Sequence, residues 1–219
     1  MLEFVLGATL AGEFSAVTES GPLSMTTFPE DADSSAMRRL REGEDLALNE
    51  IMERWQRRVT SYLLRFIGNE TAAIDLTQET FVRVYQSRER YRPVAKFSTW
   101  LFAIASNLAR EHLRWLRRHP TASLNETDES DSERPLSERV AADGLNPSEA
   151  ADSGEQRRAV REAVMSLPND LREAIVLFEY EDMSHEQISQ ITSSSKKAVE
   201  TRLYRARGIL RERLKRWLL

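Results

Sequence analysis

Hydrophobic positions recur at intervals of three and four residues along most of the chain. Residues 44–67 place six apolar side chains at this spacing: Leu48, Ile51, Trp55, Val59, Tyr62 and Phe66. The spacing is typical of one buried face of an α-helix. Gly68 should end that helix, and similar patterns predict one helix to about Ser87 and another over Ser98–Arg118. Because no stretch alternates with the two-residue period of a β-strand, we predict an all-α fold.

The most specific local pattern lies near the C-terminus. Ser184 and Gln187 match the Ser-x-x-Gln capping box that begins a helix, and a second helix is predicted from about Ser195. Its inner side is apolar: Val199, Leu203, Ala206, Leu210 and Trp217. Its outer side is polar and mostly basic: Lys197, Glu200, Thr201, Tyr204, Arg205 and Arg211. This arrangement is typical of a DNA-binding helix-turn-helix. The alternative is a basic surface helix that closes a small bundle.

Two polar segments divide the chain. Residues 119–154 are rich in Ser, Asp, Glu and Pro and show no sustained period, so we predict a flexible acidic linker. Residues 1–36 contain six acidic residues and no Lys or Arg, which predicts a disordered acidic N-terminal tail. The interpretation is therefore two small helical domains, over 37–118 and 155–219, joined by that linker.

The net charge of −4 conceals an uneven distribution. Residues 121–155 carry ten acidic residues against two Arg residues, a net charge of −8. Residues 195–219 carry nine Lys or Arg residues against two Glu residues, a net charge of +7. The basic C-terminus, and not the overall charge, is therefore the feature that favours nucleic acid.

The composition argues against several other classes. The chain contains no Cys, which excludes disulfides and Cys-based zinc sites and fits a reducing cytoplasm. The three His residues are scattered, and the sequence contains no nucleophile–base set, Gly-rich phosphate loop or His-Glu-x-x-His motif. We therefore predict no enzyme, no cofactor and no metal site. No apolar run approaches the roughly 18 residues of a membrane span, so we expect a cytoplasmic protein without membrane insertion.

Residues 75–85, DLTQETFVRVY, belong to a helix with an unusual outer face. The side predicted to be buried has four members: Ala73, Thr77, Thr80 and Val84. The opposite side has five members: Asp75, Gln78, Glu79, Val82 and Gln86. A solvated helix face usually mixes Lys or Arg with its acids, whereas this one offers acids, amides and a bare valine.

The helix predicted over Ser98–Arg118 follows an aromatic and basic stretch, YRPVAKFSTW, at 91–100. Four Arg residues against Glu111 give this helix a net charge of +3: Arg110, Arg114, Arg117 and Arg118. Such a combination suits single-stranded or distorted nucleic acid, because bases stack on rings and phosphates bind Arg or Lys. The alternative is that the apolar residues belong to the core. We accept it for three: Phe102, Ile104 and Leu108. It stays open for three near the loop: Tyr91, Phe97 and Trp100.

Taken together, these segments resemble a bacterial sigma factor of the extracytoplasmic-function group. The resemblance rests on DLTQETFVRVY, then FSTWLFAIASNLAREHLR, a polar linker, LPNDLREAIVLFEYEDMSHEQISQI and VETRLYRARGILRERL. It covers roughly 37–118 and 155–217 and implies a region 2-like domain followed by a region 4-like domain. It further implies that the protein binds core RNA polymerase through the β′ clamp helices and the β flap, recognises the −10 and −35 promoter elements and promotes DNA melting. An anti-sigma factor is an expected partner.

The resemblance also assigns residues to three surfaces. Those expected to bind the β′ clamp helices are Asp75, Gln78, Glu79 and Val82, which would explain the unusual helix face. Those expected to bind the −10 element are Tyr91, Lys96, Phe97, Thr99, Trp100, Asn107, Arg110 and Arg114. Those expected to bind the −35 element are Ser195, Lys196, Lys197, Glu200, Thr201, Arg202, Tyr204 and Arg205.

The recognition helix departs from the family pattern. Many relatives begin it with Gly-Thr-Val and a basic residue, whereas this chain has KKAVETR, with Glu200 after Val199. A Glu in the major groove can accept a hydrogen bond from cytosine N4, so we expect a different −35 sequence. A stand-alone helix-turn-helix repressor or activator is the alternative function. It would explain residues 168–217 but neither the Asp-Gln-Glu face nor the aromatic and basic loop.

Overall fold

The computed structural model describes residues 32–92, 95–119 and 147–217, with side chains from Glu155 onward in the last range. The described residues form α-helices and short 3-10 helices, and no strand occurs among them, which confirms the predicted all-α fold. The α-helices are α1 (Ala32–Arg41), α2 (Leu46–Ile67), α3 (Glu70–Gln86), α4 (Phe97–Arg118), α5 (Pro147–Met165), α6 (Asn169–Glu179), α7 (His185–Thr192) and α8 (Lys196–Arg213). The 3-10 helices are Arg88–Arg90 and Lys215–Trp217.

The N-terminal lobe, α1 to α4, closes around an aromatic and aliphatic core. Tyr62, Phe66 and Phe102 are fully buried at its centre, and the Tyr62 ring meets the Phe102 ring edge-on at 5.2 Å. The predicted spacing on α2 accounts for this, because residues three and four apart share one side of the helix. Each such buried side chain stabilises the fold by roughly 1.5–3 kcal/mol.

The junction between α2 and α3 is fixed by two local signals. Gly68 ends α2 in the left-handed conformation, at φ 87°, and its N–H donates to the Leu64 carbonyl. Glycine suits this position for two reasons. It adopts the left-handed conformation without strain. It also lacks a Cβ, which would overlap the methyl group of Met165 in the C-terminal lobe. Asn69 then begins α3, because its side chain accepts a hydrogen bond from the Ala72 N–H at 2.7 Å.

The C-terminal lobe contains the predicted helix-turn-helix. Ser184 Oγ accepts from the Gln187 N–H at 3.2 Å and Gln187 Oε1 accepts from the Ser184 N–H at 3.0 Å, which confirms the capping box that begins α7. Ser193 ends α7 in the left-handed conformation, and Ser195 begins α8 by accepting from the Ala198 N–H. Four of the five predicted inner residues are buried: Val199 and the residues one, two and three turns after it pack against α6 and α7. Trp217, the fifth, lies beyond the end of α8 in the 3-10 helix and is half-buried.

Two predicted boundaries need correction. The acidic tail was expected to extend over 1–36, but α1 begins at Ala32 and buries Ala36 and Met37 against the core. The linker was expected over 119–154, but α5 begins at Pro147. Residues 1–31 and 120–146 lie outside the described residues. None of the helices in the described part of the chain combines the length and apolar composition that crossing a membrane requires.

The two lobes pack directly against each other, which the sequence did not predict. α7 lies against α4, and α6 lies against α2. We call this contact the interlobe seam. Among the described residues, its side-chain hydrogen bonds involve Arg58, Thr99 and Arg110 from the N-terminal lobe, and Arg172, Glu173, Glu181 and Gln187 from the C-terminal lobe.

Candidate functional site

The outer face of α3 is open to solvent along the predicted polymerase-binding residues. Asp75 and Gln78 are exposed and 46% of Val82 is accessible, so the face predicted from the spacing is present. Glu79 is half-exposed, and its Oε1 accepts a hydrogen bond from Arg83 Nε at 2.6 Å. This bond raises the pKa of Arg83. We call Asp75, Gln78, Glu79 and Val82 the α3 outer face.

Sequence reasoning missed two neighbours of the α3 outer face. Ile74 is 40% accessible and lies one turn before Gln78, so it extends the apolar part of the face beside Val82. Arg83 lies one turn after Glu79 and neutralises it within the same helix. The sequence could have indicated both neighbours, because Ile74 precedes Gln78 by four residues and Arg83 follows Glu79 by four. The face therefore offers two free acceptors, one paired acid and two apolar side chains to a basic and apolar partner surface.

The aromatic residues before and within α4 form a cluster that is largely buried. The Tyr91 ring lies 4.9 Å from the Trp100 ring and 6.0 Å from the Phe97 ring. The Tyr91 hydroxyl is within 3.2 Å of Ser34 Oγ on α1. Tyr91 and Phe97 are 6% and 1% accessible, so their assignment to DNA is corrected: their rings belong to the core. Trp100 is half-buried and is the most accessible of the three rings.

The polar residues expected to bind the −10 element divide into an open group and a covered group. Lys96, Asn107 and Arg114 are exposed along α4 and its start. Thr99 is 4% accessible, and its hydroxyl accepts a hydrogen bond from Gln187 Nε2 at 3.1 Å. Arg110 is engaged by Asn107 on its own helix and by the C-terminal lobe. The structure therefore brings this set to one side of α4 but covers part of it with α7. Pro93 lies outside the described residues.

The outer side of α8 is open as predicted. Tyr204 is 81% accessible, and Lys196, Lys197, Thr201 and Arg205 are also exposed. Glu200 is half-exposed, and its Oε2 lies 3.7 Å from Lys197 Nζ. The negative charge of this unusual residue is therefore partly neutralised by a neighbouring lysine. We call Lys197, Glu200, Thr201, Tyr204 and Arg205 the α8 outer face.

Two residues of the predicted −35 set have local structural partners. Arg202 donates to Ser194 Oγ at 3.2 Å and lies 3.9 Å from Asp170, so it faces the turn and α6, which corrects its assignment to the DNA-binding set. Ser195 uses its hydroxyl to cap α8. Ser195 nevertheless lies at the N-terminus of α8, where the first backbone N–H groups of a helix can bind an anion such as a DNA phosphate.

Buried charges lie in the interlobe seam, and sequence reasoning missed all of them. Burial raises the pKa of Glu173, which Arg110 partly opposes. Burial likewise raises the pKa of Glu181 to about 7, against the opposing effect of the hydrogen bond from Arg58. Arg172 is also buried, and burial lowers its pKa. The available signal was the occurrence of Arg172 and Glu173 inside the apolar stretch LREAIVLFEY.

No three His, Asp or Glu side chains in the described ranges come together as metal ligands would. The described residues do present three surfaces: an acid, amide and apolar face on α3, a basic face on α4 and a basic and aromatic face on α8. Such faces bind proteins and nucleic acids through charge, hydrogen bonds and stacking.

Each of the two lobes matches a known protein family. Residues 51–119 match the sigma-70 region 2 family, and residues 157–210 match the sigma-70 region 4 family. The two matches define a protein of the sigma-70 class, with one conserved region in each lobe. The chain belongs to its extracytoplasmic-function group, as the sequence resemblance implied.

Curated relatives match over most of their own length. The chain is 32% identical to the extracytoplasmic-function sigma-E factor of Escherichia coli over 175 residues, which is 80% of this chain and 90% of that protein. It is 29% identical to the RNA polymerase sigma-H factor of Pseudomonas aeruginosa over 178 residues, which is 81% of this chain and 91% of that protein.

Solved structures share the fold. The structure of CnrH in complex with the cytosolic domain of CnrY superimposes with a TM-score of 0.61 at 25% identity, covering 84% of this chain and 98% of CnrH. The sigma factor RpoE from Bartonella quintana, solved with the anti-sigma factor NepR, gives a TM-score of 0.59 at 22% identity. That match covers 76% of this chain and 96% of RpoE.

Proposed function

We propose that this sigma factor binds core RNA polymerase through the α3 outer face and directs it to promoters. In this proposal the α4 side of the N-terminal lobe binds the −10 element and captures the melted strand. The α8 outer face binds the −35 element, and the C-terminal lobe contacts the β flap. Because these steps act on chromosomal DNA, the proposal places the protein in the cytoplasm.

The exposure of the α3 outer face is the main support for this proposal. Asp75 and Gln78 are exposed beside Val82 and Ile74, which together leave apolar surface open to solvent on a helix whose other side is buried. A combination of acceptors with a small apolar patch is typical of the core of a protein interface. A stand-alone helix-turn-helix regulator would not need this face, whereas a sigma factor requires a polymerase contact.

A pull-down with core RNA polymerase from Escherichia coli tests the proposal, with the sigma-E factor of that organism as positive control. The double substitution Gln78→Ala and Glu79→Lys should weaken binding by about 2–5 kcal/mol, because it removes one acceptor and reverses a charge against a basic partner. The matched control is Gln56→Ala with Glu53→Lys, an exposed pair on α2. Equal binding by the wild type and the α3 double variant would contradict the proposed contact.

An anti-sigma factor remains part of the proposal. Support comes from CnrH, which was solved with a second protein, the cytosolic domain of CnrY. The test is co-purification of a tagged chain from its own cells followed by mass spectrometry of the bound proteins. A partner that dissociates when core polymerase is added would support competition, and a chain that is recovered with polymerase alone would argue against it.

A further inference from the structure

The segment that joins α3 to α4 is strongly basic and leads into the residues expected to bind the −10 element. It contains four basic side chains against one acid, Glu89: Arg88, Arg90, Arg92 and Lys96. Three of the four are exposed, whereas Arg88 is half-buried and its guanidinium carbon lies 4.2 Å from the centroid of the Tyr85 ring. We call Arg88, Arg90, Arg92 and Lys96 the cationic loop.

No carboxylate of the described residues forms an ion pair with the cationic loop. Arg92 donates to the backbone carbonyls of Glu89 and Tyr91, and Arg88 donates to that of Tyr85. Other arginines of the N-terminal lobe do have a carboxylate oxygen within 2.8 Å: Arg39, Arg54, Arg58, Arg83 and Arg110. The cationic loop is therefore a basic surface whose charge the described part of the chain leaves open to an anion.

The N-terminus of α1 attaches an acidic segment beside this loop. Ser34 Oγ lies 3.2 Å from the Tyr91 hydroxyl, and α1 packs against the 3-10 helix Arg88–Arg90. Residue 31 is three positions before Ser34, so residues 1–31 leave the fold next to the loop. They contain no Lys or Arg and five acidic residues: Glu3, Glu13, Glu19, Glu30 and Asp31. We call residues 1–31 the acidic segment.

The first turn of α1 is itself held by a basic side chain of the N-terminal lobe. Asp33 Oδ1 accepts from Arg54 Nε at 2.8 Å, and Arg54 also donates to the Ala32 carbonyl at 3.4 Å. Only 14% of the Asp33 side chain is accessible. Because Glu30 and Asp31 precede Asp33 by three and two residues, this ion pair fixes the point from which the acidic segment starts.

The acidic linker is attached at the other end of α4. This helix has 22 residues, so at about 1.5 Å per residue it is roughly 33 Å long, and residue 120 follows its end. Of the two acidic parts of the chain, residues 1–31 are therefore the part whose attachment point adjoins the cationic loop. A tethered segment meets its site at an effective concentration on the order of millimolar, so ion pairs that are individually weak suffice to hold it.

We propose that the acidic segment binds the cationic loop of its own chain and competes there with the −10 strand. Carboxylates and phosphates suit the same surface, because both accept charge-assisted hydrogen bonds from Arg and Lys. Lys96 is the point of competition, since it belongs to the cationic loop and to the residues expected to bind the −10 element. The competition rests on the proposed function, whereas the contact within the chain does not.

Zero-length cross-linking of the full chain with a water-soluble carbodiimide tests the contact. The reagent joins a carboxylate to an amine that touches it, and Lys96 is the single lysine among residues 1–195. At low salt, mass spectrometry of protease fragments should find Lys96 joined to an acid of the acidic segment. This cross-link should disappear at about 1 M salt, where the Debye length falls to about 3 Å. A chain in which Lys96 is joined only to the linker, or to no residue of 1–31, would overturn the proposal.

Two variants with the same change in charge test the competition. The first replaces the five acids of the acidic segment by their amides. Its matched control does the same to five linker acids: Glu126, Asp128, Glu129, Asp131 and Glu133. The first variant should bind fluorescein-labelled oligothymidylate roughly tenfold more tightly than the control at low salt, which corresponds to about two exposed ion pairs. Adding Arg90→Ala and Lys96→Ala to both variants should abolish that difference.

The outcomes separate this proposal from the proposed function. Equal affinity of the two neutralised variants for oligothymidylate would overturn the competition, because the control carries the same net charge. Neither that result nor a missing cross-link bears on whether the chain directs polymerase. A chain that shows the cross-link but gives no polymerase-dependent transcripts would instead reject the proposed function and leave the contact within the chain in place.

Discussion

Arg110 and Glu173 join the two lobes by a 2.7 Å hydrogen bond between Nη1 and Oε1. The same arginine is expected to bind the −10 element, so one side chain has two mutually exclusive partners. Arg110→Ala should lower the free energy of unfolding by about 2 kcal/mol, because it removes the ion-pair partner of the buried Glu173 carboxylate. Urea unfolding followed by circular dichroism measures this.

The double variant provides the control for that prediction. Adding Glu173→Gln removes the buried charge and should recover part of the lost stability, because a neutral amide is less costly to bury unpaired than a carboxylate. If the double variant is less stable than Arg110→Ala alone, the loss does not arise from the unpaired carboxylate.

Glu181 should make the stability of the protein depend on pH. Its pKa is raised from 4.5 to about 7 by burial, so the folded protein holds this proton more tightly than the unfolded chain. The charged groups that face it are Arg58 and Arg65 of α2 and its neighbour Asp182. The contribution is therefore most favourable below pH 4.5 and is lost as the pH rises to about 7.

Urea midpoints measured between pH 4.5 and pH 8 test this dependence. Glu181→Gln should flatten the decline, because it removes the titrating group while it preserves the shape. A smaller decline should remain, since burial also raises the pKa of Glu173. An unchanged slope in Glu181→Gln would show that Glu181 is not the group responsible.

Lys96 should contribute to DNA melting. It is exposed and comes directly before α4, one turn before the half-buried Trp100. Lys96→Ala should impair open-complex formation on duplex promoters more than on templates with a pre-melted −10 region. Permanganate footprinting on both templates measures this, and Lys215→Ala is the control at an exposed lysine far along the chain. Equal defects on the two templates would contradict a role in melting.

Trp100→Ala is less informative than the lysine substitution. Its ring packs against Tyr91 and Phe97, so truncation also removes core contacts. The same comparison of duplex and pre-melted templates applies, with a thermal unfolding curve beside it. A defect confined to duplex templates would favour a DNA contact, and a lowered unfolding midpoint with equal defects would assign Trp100 to the core.

Glu200 should set preference at one −35 position. If it accepts from a cytosine amino group, Glu200→Ala should relax discrimination at that position by about 1–3 kcal/mol. Selection of a −35 library with wild type and variant measures the profile. Arg205→Ala is the comparison variant. If Arg205 binds a phosphate, this substitution should weaken binding to all sites alike and reduce the slope of log K against log salt concentration by about 1. An unchanged profile for Glu200→Ala would end the claim that this residue sets specificity.

The helices could be predicted from the sequence because their determinants are local. Gly68 ends α2 and Ser184 begins α7 through contacts within four residues, and the side of α3 that the spacing predicted to be buried is buried. These features require no knowledge of the rest of the chain. The same holds for the outer faces of α3 and α8, since a helix with one buried side necessarily exposes the other.

The interlobe seam could not be predicted because its partners are remote in sequence. Arg58 and Glu181 are 123 residues apart, and Arg110 and Glu173 are 63 apart. Helical periodicity shows that a charged residue occurs on an apolar side but does not identify its partner. The burial of Tyr91 and Phe97 escaped prediction for a related reason, because their neighbours Ser34 and Trp55 lie on α1 and α2.

Transcription in vitro from genomic DNA of the source organism tests whether the chain directs core RNA polymerase to promoters. Purified chain is added to core RNA polymerase, and the 5′ ends of the transcripts are sequenced. We expect a set of discrete start sites that require the chain and share one −10 and one −35 sequence at a fixed spacing. These start sites should disappear with the double substitution Gln78→Ala and Glu79→Lys. A chain that binds duplex DNA by itself yet produces no new start sites with polymerase would instead be a stand-alone DNA-binding regulator and not a sigma factor that directs initiation.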